Sequence, residues 1–234
     1  MINLIFDIDD TVYDQLKPFE DAFNTIFGKE NPLEMEALYI KSRFYSDEVY
    51  HRVVKGEMPK AEMHIYRITQ ALNDFDYQIT KKQAEEFQRA YETNQRKITL
   101  LPGIKEILAW GKSQNATMGI ITNGPAAHQQ HKIDDLQINS WIPVGNTFIS
   151  GKVGFEKPDK KLFTLVEQQL DITGAETYYI GDSFENDVVG AKQAGWKMIW
   201  LNRRKHKAPI DTPYHPDFCV ENESELLAIL QKLT

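Results

Sequence analysis

From Leu101 onward the sequence alternates between helical and strand periodicity, and this alternation restricts the fold more than any other feature. The pattern predicts a helix near 103–114, strand TMGIIT (117–122), a helix after Pro125 and a short strand at TFIS. A helix then opens at Pro158 with Leu162, Val166 and Leu170 four apart, strand TYYIG ends at Gly181, and a helix runs from Ser183 to Gly195. Strands KMIWL and DFCV follow, with a last helix from about Ser224. Strands that are apolar almost throughout are buried on both faces, and strands separated by helices pair in parallel through right-handed crossovers. The expected class is α/β, with a mostly parallel sheet between helical layers.

The first strand of that sheet stands far upstream, at residues 2–8. Between it and Leu101 the period is helical: Phe19, Ala22, Phe23, Ile26 and Phe27 recur at helix spacing and stop at Gly28. Further helices are expected after Pro32 and Pro59, and another after Thr80, where Gln83 completes a capping-box pattern. The helical stretch therefore reads as an insertion. The expected domains are a core of residues 1–14 and 99–234 and a helical cap of 15–98, with the cleft between them as the ligand site.

Composition narrows the function. With 27 Lys and Arg against 34 Asp and Glu, the net charge is −7, which argues against binding to nucleic acid polymers or anionic membrane. No apolar run reaches membrane-spanning length, the N-terminus reads straight into a strand without a leader pattern, and the single Cys219 cannot form an internal disulfide. A cytoplasmic location is expected.

In an open parallel sheet, ligands bind beyond the carboxyl ends of the strands. Polar residues gather where the expected strands stop: Asp7, Asp9, Asp10 and Thr11 after the first, Thr122 and Asn123 after the second, Lys157 before the Pro158 helix, and Asp182, Ser183 and Asp187 after TYYIG. Three carboxylates within four positions repel one another unless a cation sits among them. Asp7 and Asp182 at a common edge are suitable ligands for Mg²⁺, which favours carboxylate oxygens. If the backbone stays extended through Ile8, Asp7 and Asp9 share a side of the strand. Asp7 is then the expected nucleophile on phosphorus, and Asp9 the acid that protonates the leaving alcohol and later the base for water. Thr122 and Asn123 are expected to hydrogen-bond phosphoryl oxygens, and Lys157 to neutralise transition-state charge.

This constellation resembles the haloacid dehalogenase superfamily, in its branch with a helical cap inserted after the first strand. The resemblance rests on Asp7-Ile8-Asp9-Asp10-Thr11, Thr122 in IITNG, Lys157 in SGKVGFEKPD, and Asp182 with Asp187 in GDSFEND, in order over residues 3 to about 201. It implies a Rossmann-like three-layer core that binds Mg²⁺ through the Asp7 carboxylate, the Asp9 main-chain carbonyl and Asp182, with Asp187 holding a metal-bound water or supporting Lys157. Members of the family that release halide lack an acid at the position of Asp9, so its presence implies phosphate ester hydrolysis. The implied activity is that of an Mg²⁺-dependent phosphatase acting on a small phosphorylated metabolite through an aspartyl-phosphate, with DIDDTVY leaning toward nucleoside monophosphates. A phosphomutase with the same four motifs, or a phosphate-binding regulator without turnover, are the alternatives.

Other charged residues read more plainly. Asp10 is expected in a loop, Ser183 as a helix cap, and the run Arg203, Arg204, Lys205, His206, Lys207 as a solvated loop. His128 and His131 fall three apart on a helix with no further metal ligand in view.

Overall fold

A computed structural model describes residues 2–30 and 32–233, and the chain divides into two compact units. One comprises residues up to Asp14 together with those from Thr99, and the other is Gln15–Ile98.

The second unit is all helix among its described residues: α1 (Lys17–Phe27), α2 (Met35–Val54), α3 (Lys60–Asn73) and α4 (Lys81–Gln95). Phe19 and Phe23, spaced four apart on α1, point into one core with Leu38, Ile68, Leu72 and Phe87. The Phe19 ring meets Tyr39, Phe87 and Tyr91 edge-on at centroid distances of 5.3, 5.0 and 5.6 Å, the geometry that the ring quadrupole favours. Thr80 and Gln83 form the capping box at the start of α4, each bonding the other's backbone N–H.

His64 on α3 is held neutral, its pKa lowered from 6.5 to about 4, mainly because burial disfavours its charge and then because Arg67 and Lys60 repel it. The Glu92 carboxylate 3.6 Å away is more than half exposed, and solvent screens its pull. A depressed histidine pKa means that the unfolded chain binds the proton more tightly than the folded one. Stability is therefore full above pH 6.5, falls as pH drops toward 4, and loses nothing more from this group below that. Thermal melts of the wild type between pH 7 and 4 are expected to fall more steeply than those of His64→Gln; parallel curves would refute this.

The first unit is built on six parallel strands in the order β3-β2-β1-β4-β5-β6. In chain order its elements are β1 (Asn3–Phe6), α5 (Pro102–Ser113), β2 (Thr117–Thr122), α6 (Ala126–Asp135), β3 (Thr147–Ile149), the one-turn α7 (Ser150–Val153), α8 (Lys160–Leu170), β4 (Thr177–Gly181), α9 (Val189–Ala194), β5 (Lys197–Leu201), β6 (Phe218–Val220) and α10 (Glu223–Leu230). Side chains of a strand alternate between the faces of its sheet. Ile5, Ile121, Tyr179 and Met198 accordingly meet Leu162, Phe163 and Val166 of α8 and Ala191 of α9 in one cluster. On the other face Gly111 of α5 fits closely over Leu4 and Met118. These layers form a Rossmann-like α/β fold.

Several boundaries depart from the sequence pattern. β1 stops at Phe6 rather than residue 8: the Asp7 N–H still bonds Ile180 O at 2.9 Å, but the chain then turns, with Thr11 and Val12 N–H both on Ile8 O. Pro158 precedes α8 by two residues, and Asp159 caps that helix through Lys161 N. The segment expected as a single helix from Ser183 opens instead with a wide π-type turn at Phe184–Val188. No helix among the described residues is long and apolar enough to cross a membrane.

Candidate active site

β1 lies at the middle of the sheet between β2 and β4, so the segments leaving those three strands emerge side by side. Asp7 follows β1, Thr122 ends β2, and Asp182 follows β4. Ligand oxygens of Asp7, Asp182 and Asp187 all lie within 4.8 Å of one another, close enough for one hard cation to bridge them.

Lys157 projects among these acids. Its ammonium donates to Asp7 Oδ1 at 2.6 Å, Asp187 Oδ1 at 2.7 Å and the Tyr179 hydroxyl at 3.0 Å, so all three of its hydrogens are used. Asp187 is fully buried and also accepts from Ser183 N at 2.9 Å. Its carboxylate presses so closely on Gly181 that a Cβ there would stand 2.4 Å from Asp187 Oδ2, which requires glycine as the last residue of β4. The Asp182 carbonyl accepts from the Trp200 indole at 2.7 Å, and Thr11 Oγ1 reaches Asp7 Oδ2 at 3.4 Å.

If fully ionised, three carboxylates against one ammonium would leave two surplus negative charges on converging oxygens. Burial pushes the Asp7 carboxyl up to about 7, with Asp187 and Asp9 adding to the effect, although Lys157 opposes it. Burial, then Asp187, Asp7 and Asp10, raises Asp182 well above the ordinary carboxylate range. Lys157 is raised as well, which for a base favours the charged form: Asp187 and Asp7 outweigh its burial and hold its charge firmly. Two surplus charges on converging oxygens suit a divalent cation, so the donor set fits the metal expected from sequence.

Two acids of the opening motif have cations of their own besides that ion. Asp9 has its own cation, Lys132, whose Nζ lies 2.6 and 2.7 Å from the two carboxylate oxygens. Tyr13 donates to Asp9 Oδ1 at 2.6 Å, and Gln129 to Oδ2 at 3.0 Å. Burial alone would raise the Asp9 pKa, but Lys132 and these hydrogen bonds reverse the shift and hold it at about 2. Asp10 is buried in a left-handed conformation (φ 56°) and accepts from the Arg204 guanidinium at both oxygens, one at 2.7 Å. Arg203 donates to the Asp10 carbonyl. The two arginines expected in a solvated loop thus brace the turn after β1.

Asn123, also expected near a phosphoryl group, has a structural tie of its own. Its side chain is occupied: Nδ2 donates to Lys157 O at 2.9 Å and Oδ1 accepts from Lys157 N at 2.8 Å. It ties the lysine's backbone to the end of β2. Thr122 fits the expectation better, since its Oγ1 is buried with no partner among the described residues. Ser183 caps the turn after β4 by accepting from Asn186 N at 3.2 Å.

Lys132, Gln129, Tyr13 and Tyr179 were not singled out by the sequence. For the first two a signal existed: positions 129 and 132 share a helix face with buried Ile133 nearby, where apolar residues would be expected.

Comparison with known proteins identifies the family and the fold. The profile of the haloacid dehalogenase-like hydrolases matches residues 4–201. A glyceraldehyde 3-phosphate phosphatase of Methanopyrus kandleri is 25% identical, over 98% of this chain and 97% of its own length. The pyrimidine 5'-nucleotidase YjjG of Escherichia coli is 33% identical over 57% of this chain and 58% of its own. Among solved structures, the magnesium-bound HAD-hydrolase YfnB of Bacillus subtilis superposes with a TM-score of 0.68 at 23% identity, covering 98% of each chain.

Proposed function

The chain belongs to the haloacid dehalogenase-like hydrolases, and we propose that it is a Mg²⁺-dependent phosphatase that hydrolyses a small phosphate monoester through a phosphorylated Asp7. The observation that carries this reading is the convergence of Asp7, Asp182 and Asp187 around Lys157, beside the unpartnered Thr122 hydroxyl.

Asp7 attacks phosphorus through a carboxylate oxygen, and the bond from phosphorus to the leaving alcohol breaks as the new one forms. Lys157 stabilises the charge that builds on the phosphoryl oxygens, and Thr122 Oγ1 donates to one of them. Asp9 gives a proton to the departing alkoxide, then removes one from the water that releases phosphate from Asp7. At rest Asp9 is ionised, the form the second step requires. Entry of a phosphoryl group beside it favours its protonation through like-charge repulsion, as the first step requires. Asp187 acts through Lys157, which it anchors. Bound at Asp7 and Asp182, with the Asp9 carbonyl as a further ligand, Mg²⁺ would offset the surplus negative charge and polarise the phosphoryl oxygens.

The substrate class is a small phosphorylated metabolite. The named activities of the M. kandleri and E. coli relatives support this, and the second supports the narrower version in which the substrate is a nucleoside monophosphate. Phosphate release should be measured for glyceraldehyde 3-phosphate, pyrimidine nucleoside monophosphates, phosphoglycolate and phosphoserine. Chelation of divalent ions is expected to lower the rate by about two orders of magnitude or more, with Mg²⁺ restoring it. A rate indifferent to chelator would refute the metal assignment, and phosphate moved within a sugar rather than released would favour a mutase.

A further inference from the structure

We propose that Lys132 and Gln129, three positions apart on α6, are positioning residues for Asp9: they hold its carboxylate against the turn between β2 and α6, in the place from which it exchanges protons with the leaving group and water. The inference rests on the catalytic reading of Asp9 given above.

α6 is short and largely polar, and His128 and His131 on it are exposed. Gln129 and Lys132 are nevertheless buried, at 2% and 7% exposure. Burying an ammonium is unfavourable unless a counter-charge meets it, and an apolar side chain would close the same space without that cost. The counter-charge is Asp9, which Lys132 contacts at both oxygens. Gln129 uses one amide nitrogen twice, donating to Asp9 Oδ2 at 3.0 Å and to Asn123 O at 2.5 Å. The acid is thereby joined to the turn that follows Thr122 and presents its hydroxyl. Gly124 makes room for this contact, because a Cβ there would stand 2.8 Å from Gln129 Nε2. With Tyr13 on Oδ1, each Asp9 oxygen receives two donors, which fixes the carboxylate's orientation, and one of these donors gives way when Asp9 takes up a proton.

If Lys132 acts only through Asp9, its loss should matter in proportion to how much the leaving group needs a proton. The ratio kcat/KM covers steps up to departure of the leaving group, so breakdown of the phosphorylated enzyme drops out. With an alkyl phosphate such as glyceraldehyde 3-phosphate, Lys132→Met is expected to lower kcat/KM by about 10- to 100-fold. With p-nitrophenyl phosphate, whose leaving group departs as a stable anion, the loss should be under about fivefold. Gln129→Leu, which leaves the ion pair in place, should show the same pattern to a smaller degree. Adding Lys132→Met to Asp9→Asn should cost nothing further. Equal losses on the two substrates, or losses that multiply in the double variant, would overturn the inference while leaving the role of Asp9 intact. If Asp9→Asn itself treated both substrates alike, the reading of Asp9 would fall, and this inference with it.

Discussion

Asp7→Asn is expected to reduce phosphate release by about four orders of magnitude or more while leaving the melting temperature unchanged or higher. The substitution keeps the shape of the side chain and removes the charged oxygen that attacks phosphorus in the proposed mechanism. It also removes one of three converging carboxylates, the one whose pKa burial has already pushed up to about 7. Lys157 keeps Asp187 as its counter-ion, at 2.7 Å, so no buried cation is left alone. Activity and stability therefore move in different directions. Phosphate release and metal-free thermal melts on the same preparation test this together. A variant that retained a tenth of the wild-type rate would remove Asp7 as the nucleophile.

Lys157→Met is expected to damage the protein in the opposite sense. Asp7 and Asp187 then share a buried space with no cation, and breaking a buried pair by removing one partner costs about 3–5 kcal/mol. For a chain of this size such a loss lowers the melting temperature by about 6–20 °C. Saturating Mg²⁺ should recover part of that loss by supplying the missing charge, more than it raises the wild type. Combining Lys157→Met with Asp187→Asn should be less destabilising than the two changes summed, since each removes the other's reason to be charged. Additive losses would mean that Lys157 supports the fold by packing alone. Activity is expected to be lost in either variant of Lys157.

The features legible in the sequence are those whose cause is local. The capping box of Thr80 and Gln83 closes within four residues, and the apolar runs of β2, β4 and β5 announce burial on both faces. The positions of Asp7, Thr122 and Asp182 followed from one rule about strand ends, and those residues do emerge from adjacent strands. What escaped depends on partners distant in the chain. Lys132 and Asp9 are 123 positions apart, and Arg204 and Asp10 are 194 apart. A lysine on a polar helix and an arginine pair in a loop carry no local sign that they are committed. The tie made by the Asn123 side chain is hidden for the same reason, because the backbone that occupies its amide belongs to Lys157. The turn after β1 likewise has distant partners: Asp10 is left-handed, and Arg203 and Arg204, which follow β5, bind it.

One hydrogen bond near the start of the chain bears on how such a protein can change over evolutionary time. Leu101 N donates to Val12 O at 3.0 Å, so the chain leaves the sheet and rejoins it at a single stapled stem. The helical unit Gln15–Ile98 lies within that stem and contributes no strand, so changes to its length leave the strand order untouched. Change can thus accumulate in the inserted helices while Asp7, Thr122 and Asp182 stay at the adjacent strand ends where the sheet holds them.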